Sequence, residues 1–536
     1  MPTIELGLIL LVAVAFGGAI TRLTPVPLPI LLVGVGAAAS FVPGLDRIDI
    51  DPEVFLLLFI PPILYADAWV LPRRDFVHVI KPVLLLALGL VVLTVVAVGY
   101  FIHWLIPSMP LAVAFTLGAI VSPTDAVATV AVSSTVPLPN RVSHIVNAES
   151  LLNDATGIVA FKLAVAAAAT GLFSESAVAT QFLILSGGGI AVGVTVEWLG
   201  RALRQRLVLL GAGDPMQQTV LSLLVPYAAY LVAETLHVSG VLAVVAGGLW
   251  ASGQEIKGMS AEARRHATEV WKLLSYVLNG VVFVLLGLQL RHMLAGVADQ
   301  QPLDLALYAV ALWVVLMALR FAWVWASAYL RFRLNWGWAG FKTGPDARRM
   351  FLVSWAAVRG SITLATALSV PLLTDAGTPF PERDLVVFLA AATIILTLLI
   401  NGVPLPWIIK RLHAPSEAEG HPEENHARTE IAKAAIALIT VALDSIRDPE
   451  DRTYAEQLRH RYEGKVELRE GDPIESARRV EHIAFARKLR LAVIEAERER
   501  LRELRGSGAI NDETVRIIEA ELDEWEIMSS MAADRG

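Results

Sequence analysis

The stretch SPTDAVATV, Ser122 to Val130, interrupts a run that otherwise reads as a membrane helix. Pro123 has no amide hydrogen to donate and disfavours helix in the residue before it. Ser122, Thr124 and Asp125 are all residue types that cap helix N-termini. The reading is a helix that stops, unwinds for a few residues and restarts. Unwound backbone at membrane depth is tolerated only where it is buried in protein or lines a wet cavity. There its carbonyls can coordinate a cation, and an acid can neutralise exposed helix N-termini. A simple proline kink is the bland alternative for the same residues.

The surroundings place that stretch in a bilayer. Of 536 residues, 55% are hydrophobic and 18% charged, and the charge is unevenly distributed. Residues 3 to about 412 form successive apolar runs, each long enough to cross a hydrocarbon core of ~30 Å. Beyond them the sequence turns highly charged, as in a water-facing helical region. The expected organisation is a membrane domain, 1–413, and a cytoplasmic helical tail, 414–536. About thirteen spans are expected, near 4–20, 26–43, 52–70, 80–106, 110–132, 143–172, 176–200, 216–237, 238–252, 270–290, 305–330, 348–374 and 384–409. The first run lacks a basic leader and reads as a retained span rather than a cleaved signal. With no cysteine there is no disulfide framework. Much of the net charge of -7 lies in the tail and says little about partners. No nucleotide- or metal-binding motif marks the tail, and no nucleic-acid partner or cofactor is expected.

Loop charges fix an orientation. With the N-terminus outside, the cytoplasmic loops hold about eighteen Lys and Arg, from Arg22 through Arg73, Arg141, Arg201 and Lys257 to Lys342 and Arg411. The opposite loops hold only Arg47, Arg291 and Arg383. That asymmetry places the tail in the cytoplasm and the chain in the plasma membrane. In the tail, Leu491, Ile494, Leu501 and Leu504, then Val515, Ile518, Leu522 and Trp525, recur at three-and-four spacing. They predict a helical hairpin or a self-association seam.

Ionisable groups inside hydrocarbon are costly, so each needs a reason. The sixth span, NAESLLNDATGIVAF, puts Glu149 and Asn153 four apart on one face and Ser150 and Asp154 four apart on the next. Carboxylate, hydroxyl and amide oxygens on one stripe suit a hard cation. A buried carboxylate can hold either a proton or a cation, which is the minimal device for exchange. The twelfth span, SWAAVRGSITLATALSVP, holds Arg359-Gly360 mid-run, with Ser361 and Thr363 following. An arginine cannot shed its charge, and Glu149 is the expected partner. Spans five and twelve are seven apart and so oppositely oriented, as interrupted spans of two inverted halves are. Asp67 and Arg320 are expected to pair structurally. Lys162 is expected at an interface, and Glu197 and Glu234 near span ends, in solvent.

At these residues the sequence resembles the sodium/proton exchangers of the monovalent cation:proton antiporter-1 family. The resemblance runs through PPILYADAW, SPTDAVA, NAESLLNDATGIVAF, VSGVLAVVAGG and AAVRGSITLA. It implies an all-α membrane fold of thirteen helices in two inverted six-helix repeats, with spans five and twelve broken and crossed, and a homodimer. It implies that Asp154 binds cation and proton in turn, with Ser150 and the Thr124 carbonyl completing the shell of sodium, lithium or potassium. Glu149, held by Arg359, would support the site, and Asp125 would sit at the crossing. The Asn153-Asp154 pair implies electroneutral exchange. Ala126 departs from the pattern, since many members carry proline there.

Two other classes compete. An intramembrane aspartyl protease also buries two carboxylates, but it needs a Tyr-Asp context, which does not occur here, and the one Gly-x-Gly-Asp, Gly211 to Asp214, falls between expected spans rather than inside one. A cation channel would not need a titratable site that excludes simultaneous occupancy.

Overall fold

Apolar runs in a bilayer must satisfy every backbone group internally, and here they do so as helices. The computed structural model describes residues 3–534 apart from 22, 25, 43–51, 72, 134–135, 137, 171–174, 253–259, 334–345, 413–421, 471–472 and 508. Of the charges that set the expected orientation, Arg22, Arg47, Lys257 and Lys342 lie outside the described residues.

The first half runs α1 (Thr3–Ile20), α2 (Leu28–Ala39), α3 (Pro52–Val70), α4 (Arg73–Leu84), α5 (Val91–Leu105), α6 (Leu111–Val121), α7 (Ala126–Val132) and α8 (Asn140–Thr170). The second runs α9 (Glu175–Leu209), α10 (Pro215–Thr235), α11 (Gly240–Ser252), α12 (Ala261–Gly296), α13 (Pro302–Arg333), α14 (Ala347–Trp355), α15 (Ser361–Leu368), α16 (Arg383–Leu396) and α17 (Leu405–Arg411). A π-helical segment, Leu85–Leu90, joins α4 to α5, and another, Thr397–Gly402, follows α16.

Helix falls at each position where a span was expected. Seven continuous helices are long and apolar enough to cross a membrane, and α6 with α7 makes an eighth, bent by 49° at its break. Four apolar helices are shorter, at Gly7–Ile20, Leu28–Ala39, Val54–Val70 and Gly240–Ser252. The twelfth expected span is two short helices, α14 and α15, separated by Ala356–Gly360.

The chain divides into two compact units, Met1–Ser416 and Glu417–Gly536. The second contains α18 (Pro422–Leu443), α19 (Pro449–Glu470), α20 (Pro473–Gly506) and α21 (Asp512–Asp534). The expected stripes close as a hairpin: Ile494 and Leu501 of α20 are buried with Val515 and Leu522 of α21, and Ile518 packs against them. Trp525 remains largely exposed. Arg498 reaches across to Asp523 at 2.5 Å and Glu526 at 2.6 Å. Such surface pairs contribute little; the apolar seam holds the hairpin.

Candidate functional site

The site forms where α8 crosses the gap between α6 and α7. Ser150, Asn153, Asp154 and Gly157 recur at i, i+3, i+4 and i+7, so they line one face of α8. Three of the four touch the gap directly. The Ala126 amide donates to Ser150 Oγ at 3.1 Å, and Asn153 Nδ2 donates to Thr124 Oγ1 at 2.9 Å. A Cβ on Gly157 would lie 2.5 Å from Pro123 Cγ, so glycine is what lets the helix approach.

Asp154 stands among these three, 4% exposed, and makes no hydrogen bond among the described residues. Asn153 Oδ1 beside it is buried and unpartnered. A carboxylate and an amide oxygen left without internal donors in a membrane protein are costly unless a proton or a cation serves them. Thr124 lies in unwound backbone, with its carbonyl outside any helical ladder. The donor set is therefore all oxygen, suited to a hard monovalent cation carried as substrate.

Asp125 plays a different part. Its Oδ1 accepts from the Ala128 amide at 2.8 Å, capping α7. Its Oδ2 accepts from the Ser361 amide at 3.0 Å and the Ser361 hydroxyl at 3.3 Å, at the start of α15. One carboxylate thus neutralises two helix N-termini that meet in the bilayer. The backbones are stitched together as well, the Asp125 amide donating to the Val358 carbonyl at 2.7 Å. Gly360 is required here, because a Cβ would fall on the Asp125 carboxylate.

Arg359 serves the opposite helix ends, and this corrects the expected Arg359–Glu149 pair. Its Nε donates to the carbonyl of Val121, the last residue of α6, at 3.2 Å. Its Nη1 donates to the Ala357 carbonyl, just past α14, at 3.0 Å. Two helix C-termini supply the negative partial charge that a carboxylate was expected to give.

Glu149 pairs instead with Arg320 of α13, in a fork of 2.5 Å and 3.0 Å, both side chains almost fully buried. Arg320 also donates to the Val353 carbonyl of α14 from Nε at 3.2 Å and Nη2 at 2.9 Å. The expected Asp67–Arg320 pair is therefore not formed, because Arg320 has spent its donors on α8 and α14. Asp67 is only partly buried on α3 and has no ion-pair partner among the described residues.

Other polar contacts depart from the sequence reading. Glu197 is 1% exposed rather than solvated, bound by Arg204 at 2.8 Å and by the Tyr65 hydroxyl at 2.8 Å. Lys162 and Glu234 pair at 2.6 Å, each about a third exposed. Asn279 of α12 was missed altogether. Its Oδ1 accepts from the Ser361 hydroxyl at 2.8 Å, and its Nδ2 donates to the Ser275 carbonyl at 2.9 Å. A lone amide in an apolar run was the available signal. Thr397, in the second π-helical segment, accepts from the Arg359 amide at 3.0 Å. π-helical turns often mark functional positions, and this one turns a hydroxyl toward the crossing.

Comparison with known proteins bears on this arrangement. The family described as sodium/hydrogen exchanger, transmembrane, matches residues 7–411. An Escherichia coli K12 protein named as the uncharacterized Na(+)/H(+) exchanger YjcE is 35% identical, over 97% of this chain and 98% of its own length. A Bacillus subtilis sodium, potassium, lithium and rubidium/H(+) antiporter is 36% identical, over 97% of this chain and 77% of its own. Among solved structures, the sodium proton antiporter MjNhaP1 of Methanocaldococcus jannaschii at pH 8 superposes with a TM-score of 0.56 at 19% identity, over 76% of this chain and 98% of that one, a likeness of fold. With crossed, broken helices held by Asp125 and Arg359, and with sequence similarity running through them, the chain belongs to the transmembrane sodium/hydrogen exchanger family.

Proposed function

We propose that the protein is a secondary antiporter that exchanges a monovalent cation, sodium or its neighbours lithium and potassium, for a proton. The observation that carries this reading is Asp154: buried, without an internal hydrogen bond, on the face of α8 that meets the unwound backbone. Such a carboxylate is neutral with a proton or compensated by a cation, and it cannot hold both. Ser150 Oγ, Asn153 Oδ1 and the Thr124 carbonyl would complete the cation's shell. Asp125 and Arg359 keep the crossing neutral in either state, so the exchanged charge resides on Asp154 alone. Glu149, committed to Arg320 in a two-pronged bond, takes no part in the exchange.

One exchangeable carboxylate beside an amide supports one cation for one proton, an electroneutral cycle. The transport cycle is alternating access, in which spans five, six and twelve move against a dimerisation scaffold. Thirteen spans in two inverted six-helix repeats, a homodimer, an external N-terminus and a cytoplasmic tail in the plasma membrane complete the proposal. The ion gradients drive exchange without ATP. The name of the Bacillus relative favours testing the cation range widely. Proteoliposomes carrying a pH-sensitive dye should show cation-dependent collapse of an imposed pH gradient, and Asp154→Asn should abolish it. Full activity in that variant would move the chemistry to another carboxylate.

A further inference from the structure

An open cavity of about 330 Å³ lies beside the site, outside the groups that bind the ion. Leu152 of α8, one residue before Asn153, forms part of one wall, together with Val77 of α4. Val194 of α9 and Ala246 and Trp250 of α11 form the facing wall. Its lining side chains are all apolar. Val77 and Ile190, both lining it, are about half exposed, and Ile190 lies within the apolar span Thr180–Leu209, so on that side the cavity opens at the apolar flank of a span.

The two walls differ in how they are fixed. α9 and α11 touch backbone to backbone, for a Cβ on Gly193 would fall on the Ala243 carbonyl. That close approach leaves the α9–α11 wall no room to yield. The α8 wall is the helix that carries Ser150, Asn153 and Asp154. A ligand in the cavity therefore sits between the ion-binding helix and a rigid pair of neighbours.

The chemistry of the walls selects the occupant. Binding sites for polar small molecules place a few polar groups among apolar ones to fix orientation. This one has none along its length, which suits an alkyl chain. At its edge the Arg201 guanidinium lies over the Trp250 ring, 5.7 Å from the centroid. Stacking on an aromatic face holds a positive charge at that edge. A basic residue next to an apolar crevice between membrane helices is complementary to an anionic headgroup.

We propose that this cleft binds one acyl chain of an anionic phospholipid, with its headgroup held near Arg201. Occupancy sets the clearance between α8 and the α9–α11 pair, so the bound lipid tunes movement of the ion-binding helix. That consequence rests on the alternating-access reading; the binding itself does not.

The test therefore reads binding and not transport. The full-length protein is reconstituted in phosphatidylcholine vesicles containing increasing phosphatidylglycerol brominated on its acyl chains. The Trp250 signal is taken as the fluorescence difference between wild type and Trp250→Phe. It should be quenched saturably, at about fivefold lower mole fraction than with brominated phosphatidylcholine, as one lipid–arginine contact predicts. Arg201→Gln should erase that preference, and Ala246→Phe, which fills the cleft, should protect Trp250 from both lipids. Equal quenching by the two lipids in wild type would reduce the cleft to ordinary annular contact and overturn the proposal. So would a preference that survives Arg201→Gln. The wild-type comparison needs only Trp250→Phe to fold, so it stands even where Arg201→Gln or Ala246→Phe does not.

Discussion

Arg320 and Arg359 are each a lone arginine in an apolar run, yet their charges are met by different means. Arg320 finds a carboxylate, Glu149, in a two-pronged bond. Arg359 finds the carbonyl ends of two helices. The sequence identified all five ionisable residues around the crossing, Asp125, Glu149, Asp154, Arg320 and Arg359, but it could not assign partners, because pairing depends on which helices cross. Helix dipoles are invisible as residue types, so each arginine was expected to take a carboxylate, Glu149 for Arg359 and Asp67 for Arg320. The pairing has a measurable consequence. Removing one partner of a buried pair costs about 3–5 kcal/mol, since the other charge is left uncompensated. Arg320→Ala and Glu149→Gln should each lower the detergent unfolding temperature sharply. The double replacement Glu149→Leu with Arg320→Met should recover most of the loss, being apolar on both sides. Combining Glu149→Leu with Arg359→Met should recover nothing. Recovery in that second combination would restore the pairing expected from sequence.

At the scale of the helical elements, the break in SPTDAVATV was legible because proline and capping residues each have local, directional effects. The second break was legible only as an arginine and glycine in an apolar run. Its detail depends on Asp125 reaching across from another element to cap Ser361. Gly360→Ala should therefore abolish transport while the protein still inserts, because the new methyl group would displace the Asp125 carboxylate from the N-terminus of α15. A variant with wild-type rates would show that the crossing yields easily. Ala126 offers a gentler probe. Proline fits the first position of a helix, so Ala126→Pro should preserve the bend between α6 and α7. It removes the amide that donates to Ser150 Oγ, releasing a lone pair of a proposed cation ligand. The expected result is a changed apparent KM for the cation with kcat little altered, read from initial rates of pH-gradient collapse. A lost kcat with unchanged KM would mean that the amide holds the crossing together rather than tuning the ligand.

For the whole molecule, the positions and order of the apolar helices followed from apolar runs, since a bilayer leaves the backbone few alternatives. The packing between them did not, which is why Glu197, expected in solvent, is instead buried against Tyr65 and Arg204. The net charge moved per cycle is a property of the entire transporter, and the role proposed for Asp154 implies a value for it. Among the described residues Asp154 is the one carboxylate at the crossing without an internal partner; Asp125 is committed to two helix ends and Glu149 to Arg320. Exchange of one cation for one proton on a single carboxylate carries no net charge. A cycle moving one extra proton would respond to the membrane potential by about 2.3 kcal/mol per 100 mV, roughly fiftyfold in the cation gradient or about sevenfold in the proton gradient it could sustain. Proteoliposomes clamped by valinomycin and potassium gradients should therefore show the same final pH gradient at zero and at 100 mV (the imposed potential), with sodium as the exchanged cation. A gradient that tracks the clamp would require a second exchangeable carboxylate. Asp67, partly buried on α3 and outside every ion pair among the described residues, would be the group to replace next.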